Sequence, residues 1–115
     1  MHILTIDQGT SSTKTTIWDA EGRVLAEATA AYELDRPDAL RAEIDPERWW
    51  EALGSSVREV LGRSGVAPGQ VAAVSLDGIG WTLVATDAGF RPLFPALTWL
   101  DRRAEAEAAE LPARP

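Results

Sequence analysis

A chain of 115 residues with 45% hydrophobic content can bury one domain-sized core, and 25% charge is too little for wholesale disorder. A net charge of −7 excludes the basic face that non-specific nucleic-acid binding or an anionic membrane surface requires, and the absence of cysteine excludes disulfides and thiolate metal sites. His2 is the only histidine, which argues against structural zinc; no apolar run approaches the ~18 residues of a membrane helix, no signal peptide is recognisable, and the expected location is cytoplasmic.

In chain order, His2 to Ile6 reads as a short buried strand ended by Asp7-Gln8-Gly9. Thr15 to Trp18 is β-branched and apolar, and Asp19-Ala20-Glu21-Gly22 is a turn signal. Arg23 to Tyr32 alternates in part and reads as a third strand, giving an antiparallel three-strand meander. Glu33 to Glu43 reads as a loop. Asp45-Pro46-Glu47 then opens a helix, because Pro46 suits the first helical position and an acidic residue suits the positive end of the dipole. Trp49, Trp50, Leu53, Val57, Val60 and Leu61 predict one buried stripe, ending near Gly62 to Gly65.

Val71 to Leu76 has strand length, and Trp81 to Thr86 reads as a further strand beyond Gly78-Ile79-Gly80. Asp87-Ala88-Gly89 is another turn, and Pro92 and Pro95 keep Phe90 to Leu97 out of any central strand. Asp101 to Leu111 predicts a mostly polar second helix beginning at Asp101. The order is that of an α/β domain with two helices.

The chemistry concentrates in Asp7-Gln8-Gly9-Thr10-Ser11-Ser12-Thr13-Lys14. A strand delivers Asp7 to a tight turn, and Gly9 lets the backbone fold close to a ligand. Thr10, Ser11, Ser12 and Thr13 supply hydroxyls and backbone N–H groups for phosphoryl oxygens, and Lys14 adds a positive charge. A carboxylate facing phosphates is useful only with a cation, and Mg²⁺ is the natural bridge at Asp7. The same four letters, Asp-Gln-Gly-Thr, also make an ordinary polar hairpin loop. Their place between two strands favours the phosphate loop.

Here the chain resembles the FGGY carbohydrate kinases. The matching residues are Asp7-Gln8-Gly9-Thr10-Ser11 with Lys14, then Trp18-Asp19 and Gly22. Glu43-Ile44-Asp45-Pro46 before Trp49-Trp50, Gly89-Phe90-Arg91-Pro92-Leu93, and Ala96-Leu97-Thr98-Trp99-Leu100-Asp101-Arg102-Arg103 follow in order. The resemblance implies a ribonuclease H-like, actin-like ATPase fold and ATP with Mg²⁺ as cofactors. It implies Asp7 near the metal and γ-phosphate, Lys14 near the transferring group, and the turn residues on phosphate. It places substrate contacts around Asp77 and Trp81, with Trp99, Asp101 and Arg102 as further candidates.

Plainer readings stand beside these: Trp81 as core, Asp101 as a helix cap, Arg102 and Arg103 as solvated surface. Glycerol kinases carry Gln-Arg-Glu at the first sugar motif and xylulokinases Gln-Met-His, where this chain has Ile79-Gly80-Trp81. A ketose such as a pentulose is preferred over glycerol. The expected partner is a small sugar or polyol, with no nucleic acid and no membrane.

Family members are several times longer and take their general base from far downstream. Residues 1–115 therefore read as the N-terminal part of the first domain, a fragment inactive alone and able to self-associate as a homodimer through an uncovered apolar face. Pro112-Ala113-Arg114-Pro115 is no convincing natural end. The competing readings are an actin-like-fold ATPase and a non-catalytic binding module.

Overall fold

The computed structural model describes residues 1–111; the closing Pro112 to Pro115 lie outside the described residues. The chain divides into two compact units, Met1–Glu33 with Glu47–Ile79, and Leu34–Pro46 with the residues from Gly80 onward.

The first unit is a four-stranded sheet with one long helix. Strands β1 (His2–Gln8), β2 (Ser12–Trp18) and β3 (Val24–Ala31) pair antiparallel, and β5 (Val71–Gly78) returns parallel to β1, giving the order β3-β2-β1-β5. The β2–β3 turn is held by Asp19, whose carboxylate accepts the N–H groups of Glu21 and Arg23 at 3.0 and 2.9 Å. Those bonds, that from Arg23 first, hold the Asp19 carboxyl below its ordinary range. Gly22 closes the turn at φ 80, which a side chain would strain.

Strand periodicity sorts the sheet into two faces. On one face Leu4, Ile6, Ile17 and Ala28 are buried with Val60 and Val66, and Leu53, Val57 and Leu61 pack against them. Helix α1 (Pro46–Ser64) covers this face with Ala52, Ser56 and Val60, which recur every four residues and so share one side. Between the two layers, the buried hydroxyls of Thr15 and Ser56 meet at 2.7 Å. Trp50 departs from the predicted stripe and is 70% exposed. At about 100° per residue it stands roughly opposite Ala52, whereas Trp49, three residues before Ala52, is half-buried. Gly65, at φ 70, ends the helix and donates to Leu61 O at 3.0 Å.

The second unit pairs the two-residue strands β4 (Glu43–Ile44) and β6 (Ala96–Leu97) antiparallel. Ala42, Ile44 and Ala96 are fully buried there, and Thr98 Oγ1 donates to Ala42 O at 2.8 Å. Two expectations fail in this unit. Trp81 to Thr86 forms isolated bridges rather than a strand, Leu83 with Leu97 and Thr86 with Pro92. Trp81 sits at φ 53, outside extended geometry, and Pro92 has no N–H to extend a ladder. The second helix, α2, covers only Glu105–Glu110. It does not start at Asp101: the Arg102 N–H goes to Leu40 O at 2.7 Å, and the Asp101 carboxylate binds the Arg103 guanidinium and the Ala42 N–H, ties to the rest of this unit rather than to a helical turn. β4 is a strand within a stretch read in part as loop, and it has no local signal beyond one apolar residue.

Candidate active site

The face of the sheet away from α1 carries the candidate site. Register sets it: Asp7 pairs with Lys14 across the antiparallel β1–β2 ladder and with Asp77 across the parallel β1–β5 ladder. Asp7, Lys14 and Asp77 therefore lie side by side across three strands, at a strand spacing of about 4.8 Å. With Thr5, Ile6, Thr16 and Ser75 they line an open cavity of about 260 Å³. The carboxylates of Asp7 and Asp77 form no hydrogen bond or ion pair among the described residues. Lys14 Nζ pairs with Glu27 at 2.8 Å in an exposed contact, a type worth about 0–1 kcal/mol and readily exchanged for a phosphate.

The β1–β2 turn rises at one end of this face. Gly9 N–H donates to Ser12 O at 3.0 Å, and a Cβ at Gly9 would stand 3.2 Å from that same oxygen, so the turn is tight where the sequence places glycine. Ser11 is exposed and Ser12 half-buried, whereas Thr13 is fully buried on the helix face and its hydroxyl donates to Gln8 Oε1 at 2.8 Å. Gln8 Nε2 in turn donates to the Tyr32 hydroxyl at 2.6 Å, and that hydroxyl donates to Gly9 O at 2.5 Å. The sequence placed Gln8 in this turn without a role of its own and gave no sign of Tyr32. A tyrosine at the end of the third strand carries no spacing signal toward a glycine in the first turn.

The remaining predicted residues belong to the second unit. Trp81 is 96% exposed, which removes the core reading, and Trp99 is 55% exposed. Arg102 pairs with Glu105 at 2.5 Å and donates its N–H to Leu40 O at 2.7 Å. Asp101 is the anchor of a cluster. Arg103 contacts Asp101 Oδ1 and Oδ2 at 2.8 and 2.7 Å and Glu43 Oε2 at 2.5 Å, while Asp101 Oδ2 accepts the Ala42 N–H at 2.9 Å. The Arg103 bonds, more than any other cause, hold the Asp101 carboxyl far below its usual range. A depressed carboxyl contributes stability at neutral pH that is lost as pH falls below about 3.9, the unfolded value. Asp101→Asn should lower the melting temperature by roughly 5 °C at pH 7. The gap to the parent should hold from pH 8 to 5 and narrow below pH 4. A gap independent of pH would remove the charge from the explanation.

The profile of the FGGY family of carbohydrate kinases, N-terminal domain, matches residues 2–114. The chain belongs to the FGGY family of carbohydrate kinases. This FGGY chain is 38% identical over 110 residues to a xylulose kinase of Streptomyces coelicolor, covering 95% of this chain and 22% of that protein. It is 35% identical over 104 residues to a glycerol kinase of Citrifermentans bemidjiense, covering 89% and 21%. The chain thus spans about a fifth of the length of the curated relatives it matches. Among solved structures it superposes on a xylulose kinase from Rhodospirillum rubrum with a TM-score of 0.89 at 25% identity, over 96% of this chain and 22% of that one. For a Plasmodium falciparum glycerol kinase with ADP the TM-score is 0.83 at 26% identity, over 99% and 23%. These neighbours place the fold among the actin-like ATPases. No helix among the described residues is long and apolar enough to cross a membrane.

Proposed function

We propose that this FGGY chain supplies the phosphate-binding hairpin and part of the sugar site of a cytoplasmic kinase that transfers the γ-phosphoryl group of ATP to a sugar or polyol, a ketose such as a pentulose being preferred. It forms the N-terminal part of the first domain. The observation that carries this reading is the juxtaposition of Asp7, Lys14 and Asp77 on one open sheet face beside the Gly9 turn.

Each group has a task in phosphoryl transfer, where positioning and charge neutralisation do most of the catalysis. The backbone N–H groups of Thr10 to Ser12 and the hydroxyls of Thr10, Ser11 and Ser12 bind phosphate oxygens, with Gly9 closing the turn and Thr13 anchoring it from the buried side. Lys14 leaves Glu27 for the transferring group. Asp77 accepts a hydrogen bond from a sugar hydroxyl, one strand away from Asp7, so acceptor and phosphate meet over the same part of the sheet. Within the second unit, the exposed Trp81 has an indole face suited to the C–H side of a sugar, and Trp99, Asp101 and Arg102 are that unit's other candidates for sugar contacts.

The exposed, oxygen-only carboxylate of Asp7, which forms no hydrogen bond among the described residues, fits a hard divalent cation such as Mg²⁺. Asp7 would hold it directly or through water. When bound, the ion supplies neutralisation of phosphate charge.

The test is ADP release by the complete gene product with Mg-ATP, against a panel of ketoses, aldoses, polyols and glycerol and a buffer control. Sugar-dependent ADP establishes the kinase and names its substrate class. ADP released equally without acceptor points instead to an ATPase of the same fold.

A further inference from the structure

Three carbonyls in and beside the Gly9 turn are consumed by hydrogen bonds that originate at two places. The Tyr32 hydroxyl donates to Gly9 O at 2.5 Å, the Tyr32 backbone N–H donates to Ser11 O at 3.0 Å, and Gly9 N–H takes Ser12 O at 3.0 Å. Tyr32 thus fastens the turn twice, from the residue immediately after β3. Its phenol is itself held by Gln8 Nε2 at 2.6 Å, and Gln8 is held by the buried Thr13 hydroxyl at 2.8 Å. The chain Thr13, Gln8, Tyr32, Gly9 is a closed brace that begins in the core and ends on the turn. Burial pushes the Tyr32 phenol above its ordinary range, so at neutral pH it keeps the proton that it donates.

The physical consequence concerns anions. A backbone that binds phosphate must present N–H groups and keep carbonyl oxygens turned away, because an uncommitted carbonyl repels the phosphate oxygens. Flexible turns sample both orientations, and only the competent fraction binds. We infer that Tyr32 is a positioning residue for nucleotide binding, acting through Gly9 and Ser11 to hold the hairpin in its phosphate-accepting conformation. This rests on the phosphate-binding reading of the hairpin proposed above.

The experiment uses the complete gene product and measures the Mg-ATP dissociation constant and the KM values for ATP and for sugar. Tyr32→Phe keeps the ring and the backbone N–H but loses the hydroxyl. It should weaken Mg-ATP binding and raise the KM for ATP by roughly tenfold, with the sugar KM unchanged. Gln8→Met breaks the brace one link earlier and should act in the same direction. The double variant should be no worse than Tyr32→Phe alone, since both act through one hydrogen-bond chain. Ala28→Gly, at a buried site of β3, the strand that leads into Tyr32, is the stability control. It should lower the melting temperature and leave the KM for ATP where it was.

If Tyr32→Phe binds Mg-ATP as the parent does, the inference is overturned while the hairpin reading stands. If the ATP KM rises equally in Ala28→Gly, Tyr32 acts only through stability and the inference fails. If the parent protein binds no Mg-ATP, the hairpin reading itself fails and takes the inference with it.

Discussion

Asp7→Ala in the complete gene product should reduce sugar-dependent ADP release by at least about a hundredfold, the scale on which a lost transition-state electrostatic contact is felt. Asp7 sits at the end of β1, on the face opposite α1, and lines the cavity shared with Lys14 and Asp77. Its side chain is exposed and supports no packing, so its removal should leave the melting temperature unchanged. A folded, inactive variant is the expected combination. Asp7→Asn keeps the shape and loses the charge, and it should be nearly as inactive if the carboxylate acts by meeting a cation. Activity retained in Asp7→Asn would show that the charge is dispensable. Activity retained in both variants would move the phosphate site away from this turn.

Ile17→Ala should destabilise the purified chain by about 2–5 kcal/mol in urea denaturation. Ile17 is fully buried on β2 at the centre of the cluster formed with Leu4, Ile6, Ala28, Val60 and Val66. Truncating it removes apolar area from the core and leaves a cavity between sheet and helix, which close-packed surroundings fill only in part. Against a total stability of about 5–15 kcal/mol that loss is large. Ile17→Val, one methylene smaller, should cost about 0.5–1.5 kcal/mol. The difference also bears on the site, because β2 carries Ile17 inward and Lys14 outward on the same strand. Equal effects of the two substitutions would show that the helix face is loosely packed and that the hairpin owes its rigidity to something else.

The two experiments separate what a single strand does on its two faces. Substitutions of apolar core residues on the α1 face, such as Ile17 or Ala28, should change stability and leave ATP affinity alone. Substitutions on the opposite face, at Asp7, Lys14 or Asp77, should change activity with little effect on stability. Period-two alternation makes that division a property of the strands themselves.

Local chemistry in the sequence determined the β1–turn–β2 unit around Asp7 and Gly9, the span of α1 and its stop at Gly65, the turns at Asp19 and Asp87, and the family resemblance. Each depends on residues within a few positions of one another: a glycine where the chain tightens, a proline at a first helical turn, apolar residues at a strand or helix period. Tertiary structure alone decided that Asp77 stands beside Asp7, because a parallel ladder between distant strands sets that register. It alone tied Tyr32 to Gly9 and Arg103 to both Asp101 and Glu43. Trp50 was misplaced by residue type: a large aromatic ring suggests burial, but α1 turns Trp50 away from the sheet. Hydrogen bonds between segments far apart in the chain follow no local period, so only the folded arrangement reveals them.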